Sequence, residues 1–429
     1  NKYLILGYKG SGKSLIGEKL LSMAAEREDF ICEKKLLGDF PFASFEKILP
    51  KNGEDNNNYP KTWDFVILTA LVNMLIIKNI SFSSEWMEFV EWLRDNGLLS
   101  GGDFRSIVAK ASRKSFHINI CKFMYKYENE NDYVNNFDAM LTMLRRILKE
   151  YNPDKCNMIV IDGLDEFLSL KKIQNLSLGS LLYSVGNLCN YFFREKLNYK
   201  IVLLIRTDLF EKFEIPNKNK QCQDFAIRIN WYHDSREPQN SNLIKLANIR
   251  ANLKDKNCGN IFERYFPKKI GTKDVIPYLL ENTRHTPRDF IQLLASLQKF
   301  SVNEVLSKDE ILSGLKCYSE DYFLPEIKDE MNGYISSDKF DFFLACLGSF
   351  RDREISSHKL IAKCTERMEK EDVIKILRAL FECSAIGNKF KGMVSDNRYC
   401  FRFRNRNCTF NPEETIVIHQ GLLKALGIK

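Results

Sequence analysis

Three short, unbroken apolar runs stand out along the chain: Tyr3-Leu4-Ile5-Leu6, Met158-Ile159-Val160-Ile161 and Ile201-Val202-Leu203-Leu204-Ile205. Runs of this length bounded by polar residues predict strands buried on both faces, as in a parallel sheet. Phe225 to Trp231 predicts one more strand of that sheet. Other stretches place apolar residues three and four apart, the spacing of one helix face. Leu15, Ile16, Leu20 and Leu21 do so directly after the first strand. Trp86, Phe89, Val90 and Leu93 do so later, as do Phe290, Leu293, Leu294 and Leu297. Strands alternating with helices predict an α/β fold around a parallel sheet.

The chain has 429 residues, which suggests about three domains. Residues 1–240 are expected to form the sheet-containing core. The interval between its first two strands exceeds what a simple core needs, and a helical insertion at about 85–151 is expected to supply the excess. A polar loop from Asn52 to Tyr59 precedes it; a Gly-Gly break at 101–102 and a polar loop from Tyr127 to Asn136 fall inside it. Residues 241–335 are expected to be helical, and 336–429 to be winged-helix-like. The latter shows helical patterns over Phe340–Leu347, Ser357–Arg367 and Asp372–Phe381, then a hairpin candidate from Lys389 to Phe410. In the hairpin Tyr399, Phe401 and Phe403 alternate with Arg398, Arg402 and Arg404. That predicts one apolar and one basic face. The basic 398–406 segment either grips nucleic-acid phosphates or is an ordinary solvated strand face.

Composition narrows the class. With 44% hydrophobic and 28% charged residues, and only 21 Gly and 11 Pro, collagen-like, Pro-rich and wholly disordered chains are excluded. The nearest approach to a membrane span, Phe65 to Ile80, is interrupted by Asn73 and Lys78 and reads as a buried helix. No membrane partner is expected. The chain opens on Asn1-Lys2 with neither an initiator Met nor a leader pattern, so it is read as part of a longer protein. Its 12 cysteines are scattered singly, with no C-x-x-C pair; His117 near Cys121 and His358 near Cys364 lack a second ligand pair. That pattern favours reduced thiols and a cytoplasmic location over disulfides or zinc. A net charge of +8 permits a nucleic-acid partner without requiring one.

The first strand runs into Gly7-Tyr8-Lys9-Gly10-Ser11-Gly12-Lys13-Ser14, then Leu15 and a helix. This matches G-x-x-x-x-G-K-[ST] at every fixed position, with strand, loop and helix in the required order. Glycines let the backbone curl into a nest of inward N–H groups, and the helix start adds its positive dipole end. Residues Gly7 to Leu15 are therefore the candidate ATP site. Lys13 is expected on the β- and γ-phosphates, and the Ser14 hydroxyl on Mg²⁺. The run ending in Asp162-Gly163-Leu164-Asp165-Glu166 supplies the acids. Asp162, at a strand's C-terminal end, is expected to hold Mg²⁺. Asp165 or Glu166 would orient or deprotonate the attacking water. An acidic helix cap is the competing reading.

Apolar residues followed by Asp-Gly-Leu-Asp-Glu resemble the Walker B form of NACHT-type STAND ATPases, relatives of AAA+ proteins. More closely, most of the chain resembles a group of bacterial P-loop ATPases often associated with phage defence. The shared elements are Arg206-Thr207-Asp208 after a strand, Thr286-Pro287-Arg288-Asp289-Phe290, and His419-Gln420-Gly421-Leu422. The resemblance implies a P-loop NTPase core with parallel sheet, helical insertion and lid, and a C-terminal winged-helix-like domain. It implies Arg206 as a sensor of the γ-phosphate, although the family's Thr-Ser pair before it is absent. It also implies Pro287 on the adenine side and Arg288 as the lid's sensor, although His285 replaces the family glycine. A strand-end Arg paired to an acid and an ordinary helix cap are the plain alternatives.

The function implied is a regulatory Mg-ATPase of STAND/AAA+ type, a homo-oligomer or partner of an effector protein in antiphage defence. The alternative is a DNA-binding initiator or loader ATPase with a winged helix. A small-molecule kinase is a third reading, disfavoured by the Asp-Glu pair and the long C-terminal region.

Overall fold

The computed structural model describes residues 2–27, 29–49, 58–77, 80–99, 101–128, 133–164, 172–213, 218–232, 237–332, 334–389 and 399–428. They form two compact units: Asn1–Gly7 with Lys13–Ile229, and Tyr8–Gly12 with Asn230–Lys429.

The first unit is a mixed α/β structure. Its strands are β1 (Leu4–Gly7), β2 (Phe30–Leu36), β3 (Cys156–Asp162), β4 (Tyr199–Arg206) and β5 (Ala226–Ile229). They form one parallel sheet in the order β2-β3-β4-β1-β5. Helix α1 (Lys13–Glu26) covers one face, against Ile5, Val160, Val202 and Leu204. The alternate residues Leu4, Leu6, Ile159, Ile161, Ile201, Leu203 and Ile205 join a larger core on the other face. Covering both faces is the reason β1, β3 and β4 read as unbroken apolar runs rather than alternating ones.

The larger core is built from helices between β2 and β3: α2 (Phe42–Phe45), α3 (Asn58–Ile77), α4 (Ser84–Asp95), α5 (Phe104–Ala111), α6 (Lys114–Glu128) and α7 (Tyr133–Glu150). α8 (Lys172–Arg194) joins them, packing on α3. α3 is long and apolar enough to cross a membrane by length and composition, yet 72% of its most apolar window is buried. Trp63 fixes it, stacking on Phe40 at 4.9 Å and donating its Nε1–H to the Ser177 carbonyl at 2.8 Å. Two short helices, α9 (Thr207–Lys212) and α10 (Lys218–Phe225), lead to β5.

The second unit starts with α11 (Asn242–Lys254) and α12 (Ile261–Arg264), then the small antiparallel pair β6 (Lys269–Ile270) and β7 (Lys273–Asp274). α13 (Val275–Glu281), α14 (Pro287–Gln298) and α15 (Lys308–Tyr318) follow. A capping box between Ser307 and Glu310 starts α15, which passes through a π-helical turn, Ser319–Phe323, into α16 (Leu324–Met331). The remainder runs α17 (Ser337–Ser349), β8 (Glu354–Ile355), α18 (Ser357–Cys364), α19 (Lys370–Glu382), β9 (Ile386–Lys389), β10 (Tyr399–Cys400) and β11 (Thr415–Ile418). Its sheet is antiparallel, in the order β10-β9-β11-β8.

The polar loops expected at 52–59 and 127–136 are cut short: α3 begins at Asn58, α6 runs to Glu128 and α7 begins at Tyr133, while residues 52–57 and 129–132 lie outside the described residues. Two further expectations change. The alternation from Tyr399 to Arg404 predicts a continuous strand, but β10 ends at Cys400 and residues 402–404 form a turn. The turn folds both Phe401 and Phe403 inward against His419, at 5.6 Å each. Arg402 lies on Glu382 at 3.1 Å and Arg404 over both phenylalanine rings, while Arg398 is outside the described residues. The expectation of reduced thiols throughout is also corrected. Cys400 and Cys408, eight residues apart, are joined as a disulfide across this turn.

Candidate functional site

In the first unit the loop motif leaves the sheet from the C-terminal end of β1, where Gly7 pairs in register with Arg206 of β4. Lys13 is buried at the start of α1 and its Nζ donates to the Gly7 carbonyl at 3.2 Å. The ammonium thus stays over the loop. Ser14 and Leu15 are exposed on the first turn. Gly17, one turn on, lets α1 approach the sheet: a Cβ there would lie 3.2 Å from Leu204 Cδ1.

Asp162 closes β3. Its Oδ1 accepts the Gly163 N–H at 2.8 Å, and its Oδ2 lies 3.1 Å from Lys34 Nζ. Lys34 also reaches Glu18 of α1 at 2.7 Å. Burial lowers the Lys34 pKa, but hydrogen bonds to Glu18 and Asp162 outweigh it and hold the ammonium above its usual range. Arg206, buried at the end of β4, forks onto Asp208 with bonds of 3.0 and 2.8 Å. Burial pushes the Asp208 carboxyl up, and Arg206 more than reverses this. Asp165 and Glu166 lie outside the described residues.

The turn of the loop, Tyr8 to Gly12, groups with the second unit. The Ser11 N–H returns to the Tyr8 carbonyl at 3.1 Å, and Gly10 takes a φ of +76° that favours glycine. Space demands glycine as well, because a Cβ on Gly10 would sit 3.0 Å from the Arg288 Cβ. The Arg288 N–H points at the Gly10 carbonyl at 3.4 Å, and the Trp231 indole donates to the Ser11 carbonyl at 2.9 Å. The Tyr8 hydroxyl donates to the Arg402 carbonyl at 3.3 Å. Lys9 ion-pairs with Glu326 at 2.9 Å and Glu330 at 3.4 Å; Arg288 Nη1 is 3.7 Å from the same Glu326 oxygen.

α14 brings Pro287 and Arg288 here because Thr286 caps it, accepting the Asp289 N–H at 3.2 Å, and Pro287 takes the first helical position. Just before the cap, His285 holds a φ of +52° and stacks on Phe403 at 5.3 Å. Burial and then Arg404 lower its pKa to about 3. Asp289 is buried and clasped by Arg284 at 2.8 and 2.9 Å, with the Tyr322 hydroxyl donating at 2.9 Å. His419 accepts the Gly421 N–H at 3.0 Å and stacks on Phe323 at 5.0 Å.

Lys34, Glu326, Glu330 and Arg284 escape sequence reasoning. Weak signals existed: Glu33-Lys34-Lys35 inside a strand-like stretch, and two glutamates four apart. Among the described residues no group of three or more His, Cys, Asp or Glu side chains could hold a metal. Ser14 and Asp162 nonetheless offer two hard oxygen donors, which suits Mg²⁺, an ion held by one or two protein ligands plus phosphate oxygens and water.

No curated protein matches the chain. Residues 241–324, from the cap of α11 to the start of α16, are similar to a described family, the FunZ-associated C-terminal helical domain.

Proposed function

We propose that the chain is a regulatory Mg-ATPase: a P-loop core, a helical lid over residues 241–335 and a winged-helix-like C-terminal region. The observation that carries this reading is the placement of the motif. Gly7-x-x-x-x-Gly12-Lys13-Ser14 joins the C-terminal end of β1 to α1, while Asp162 and Arg206 end the parallel strands β3 and β4. Open α/β sheets bind ligands at that edge. The similarity of residues 241–324 to a helical domain supports a helical lid.

In this reading the N–H groups of the loop and the Lys13 ammonium orient the ATP phosphates. Magnesium, held by Ser14 and Asp162, would supply charge neutralisation at phosphate oxygens. Asp165 or Glu166 takes the proton from the attacking water oxygen. The resemblance reads Arg206 and, separately, Arg288 as sensors of the nucleotide, and contacts that ADP cannot make bias the chain between two states. Control of an effector in antiphage defence follows from the family resemblance, as does assembly with copies or with that effector. Calorimetry tests the base of the reading: Lys13→Ala should abolish detectable ATP binding with the fold retained, and unchanged affinity would sink it.

The second reading is a DNA-binding initiator or loader. The order α17-β8-α18-α19-β9-β10-β11, with β8, β11 and β9 adjacent and antiparallel, favours a winged helix.

A further inference from the structure

Asp162, the residue read above as the magnesium holder, already carries a cation that belongs to the chain. Strand parity explains how. Val160 faces α1, so Asp162, two residues on, faces it too, and Lys34 pairs in register with Val160 from the neighbouring strand. Lys34 therefore leans diagonally across the same face and sets its Nζ 3.1 Å from Asp162 Oδ2. The other carboxylate oxygen holds the Gly163 N–H. Both oxygens are engaged, and the aspartate side chain is only 5% exposed.

We propose that Lys34 is a positioning residue that gates metal loading: a tethered ammonium that neutralises Asp162 and gives way when a divalent cation binds with nucleotide. The proposal rests on the P-loop reading of Asp162. A lone buried carboxylate is costly, and Lys34 removes that cost before loading. A divalent ion at the same oxygen would repel the ammonium, so the two compete for one position. Glu18 provides the second position. It lies 2.7 Å from the same Nζ and is 59% exposed, so the ammonium can withdraw to it without becoming unpaired. The whole arrangement belongs to β2, β3 and α1 of one unit.

The competition has a signature that simple support of Asp162 lacks. Removing the Lys34 charge should tighten metal binding; removing Glu18 should leave Lys34 on Asp162 and weaken it. Mn²⁺ with ADP provides a spectroscopic readout independent of hydrolysis. Paramagnetic resonance of free Mn²⁺, titrated against protein and ADP, should show Lys34→Met binding the ion at least about fivefold more tightly than wild type. Glu18→Gln, on the exposed side of α1, should bind it about twofold or more weakly. Circular dichroism checks that each variant is folded, and the Glu18 arm keeps the test decisive if Lys34→Met is unstable. Equal or weaker binding in Lys34→Met, or unchanged binding in Glu18→Gln, overturns the gate while leaving the P-loop reading intact. A wild type that binds neither ADP nor Mn²⁺ overturns both.

Discussion

Lys9 lies 2.9 Å from one oxygen of Glu326, and that same oxygen is 3.7 Å from the Arg288 guanidinium. One carboxylate thus faces two cations that the P-loop reading assigns to the phosphate end of a nucleotide. A triphosphate carries more charge than a diphosphate and gains more when that carboxylate is neutralised. Glu326→Gln should therefore raise ATP affinity by about fivefold, corresponding to about 1 kcal/mol for a partly exposed pair. ADP affinity should rise less. Competition binding with both nucleotides measures the ratio; an unchanged ratio would mean that Glu326 only braces the loop.

The Arg284–Asp289 pair makes a separate prediction. Both side chains are buried and bound by two parallel hydrogen bonds, and Arg284 also lies 5.1 Å over the Phe323 ring. Removing one charge strands the other, so Asp289→Asn should destabilise the second unit by about 3–5 kcal/mol. Replacing both, Arg284→Met with Asp289→Leu, should recover most of that loss. Urea denaturation of the three variants decides it. A double variant no better than the single one would show that the polar cluster itself, not its charge balance, holds α14.

What the sequence could and could not reveal follows from the physics of each element. Strands β3 and β4 were legible because Ile159 to Ile161 and Ile201 to Ile205 are buried on both faces and need no alternation, whereas β2 was missed because Glu33, Lys34 and Lys35 interrupt its apolar residues. The loop was legible because its glycines and lysine are dictated by local geometry, as the positive φ at Gly10 and Gly12 illustrates. Lys34 on Asp162 and Lys9 on Glu326 were not, since each joins residues far apart in sequence that no periodicity links. The stretch from Tyr399 to Arg404 misled for a related reason: alternation records which side chains are buried, and a turn that tucks Phe401 and Phe403 under His419 leaves the same record as a strand. The catalytic roles expected of Asp165 and Glu166 rest on the motif alone.

That turn separates the two functional readings. Arg402 is held by Glu382 and by the carbonyl of Cys408 at 2.7 Å, and Arg404 lies over two aromatic rings. Arg402→Ala and Arg404→Ala should each lower the melting temperature, through a loss of about 1–2 kcal/mol in charge-assisted bonds and ring contacts. Neither should reduce the salt dependence of binding to duplex DNA. If either variant instead keeps its stability and flattens the salt slope by about one phosphate contact, the DNA-binding reading gains.

Two buried histidines make the second unit sensitive to acid. Burial, with Arg404 adding to it and Asp289 opposing, lowers the pKa of His285 to about 3. Burial with Arg284, Arg353 and Arg404 lowers that of His419, again against Asp289. An unfolded histidine titrates near 6.5. Between that value and the folded one, the unfolded chain binds protons that the folded chain refuses, so stability rises with pH. It should be flat above about pH 7 and fall on acidification by up to about 1.4 kcal/mol per pH unit from His285, with His419 adding in the same direction. Asp208 and Asp289, held below the usual carboxylate range by Arg206 and Arg284 despite burial, act only nearer pH 4 and below. Glu310, Glu354 and Asp372 are likewise held below the usual carboxylate range, so within the second unit only the window from pH 6.5 to about 5 belongs to the histidines. His285→Asn tests this, because asparagine tolerates the positive φ at that position while losing the titrating ring and its stacking on Phe403. The variant should be less stable at pH 7.5 yet lose less on acidification, with His419 supplying the slope that remains. Denaturation midpoints at several pH values separate level from slope. Parallel curves for wild type and variant would show that His285 is already protonated when folded.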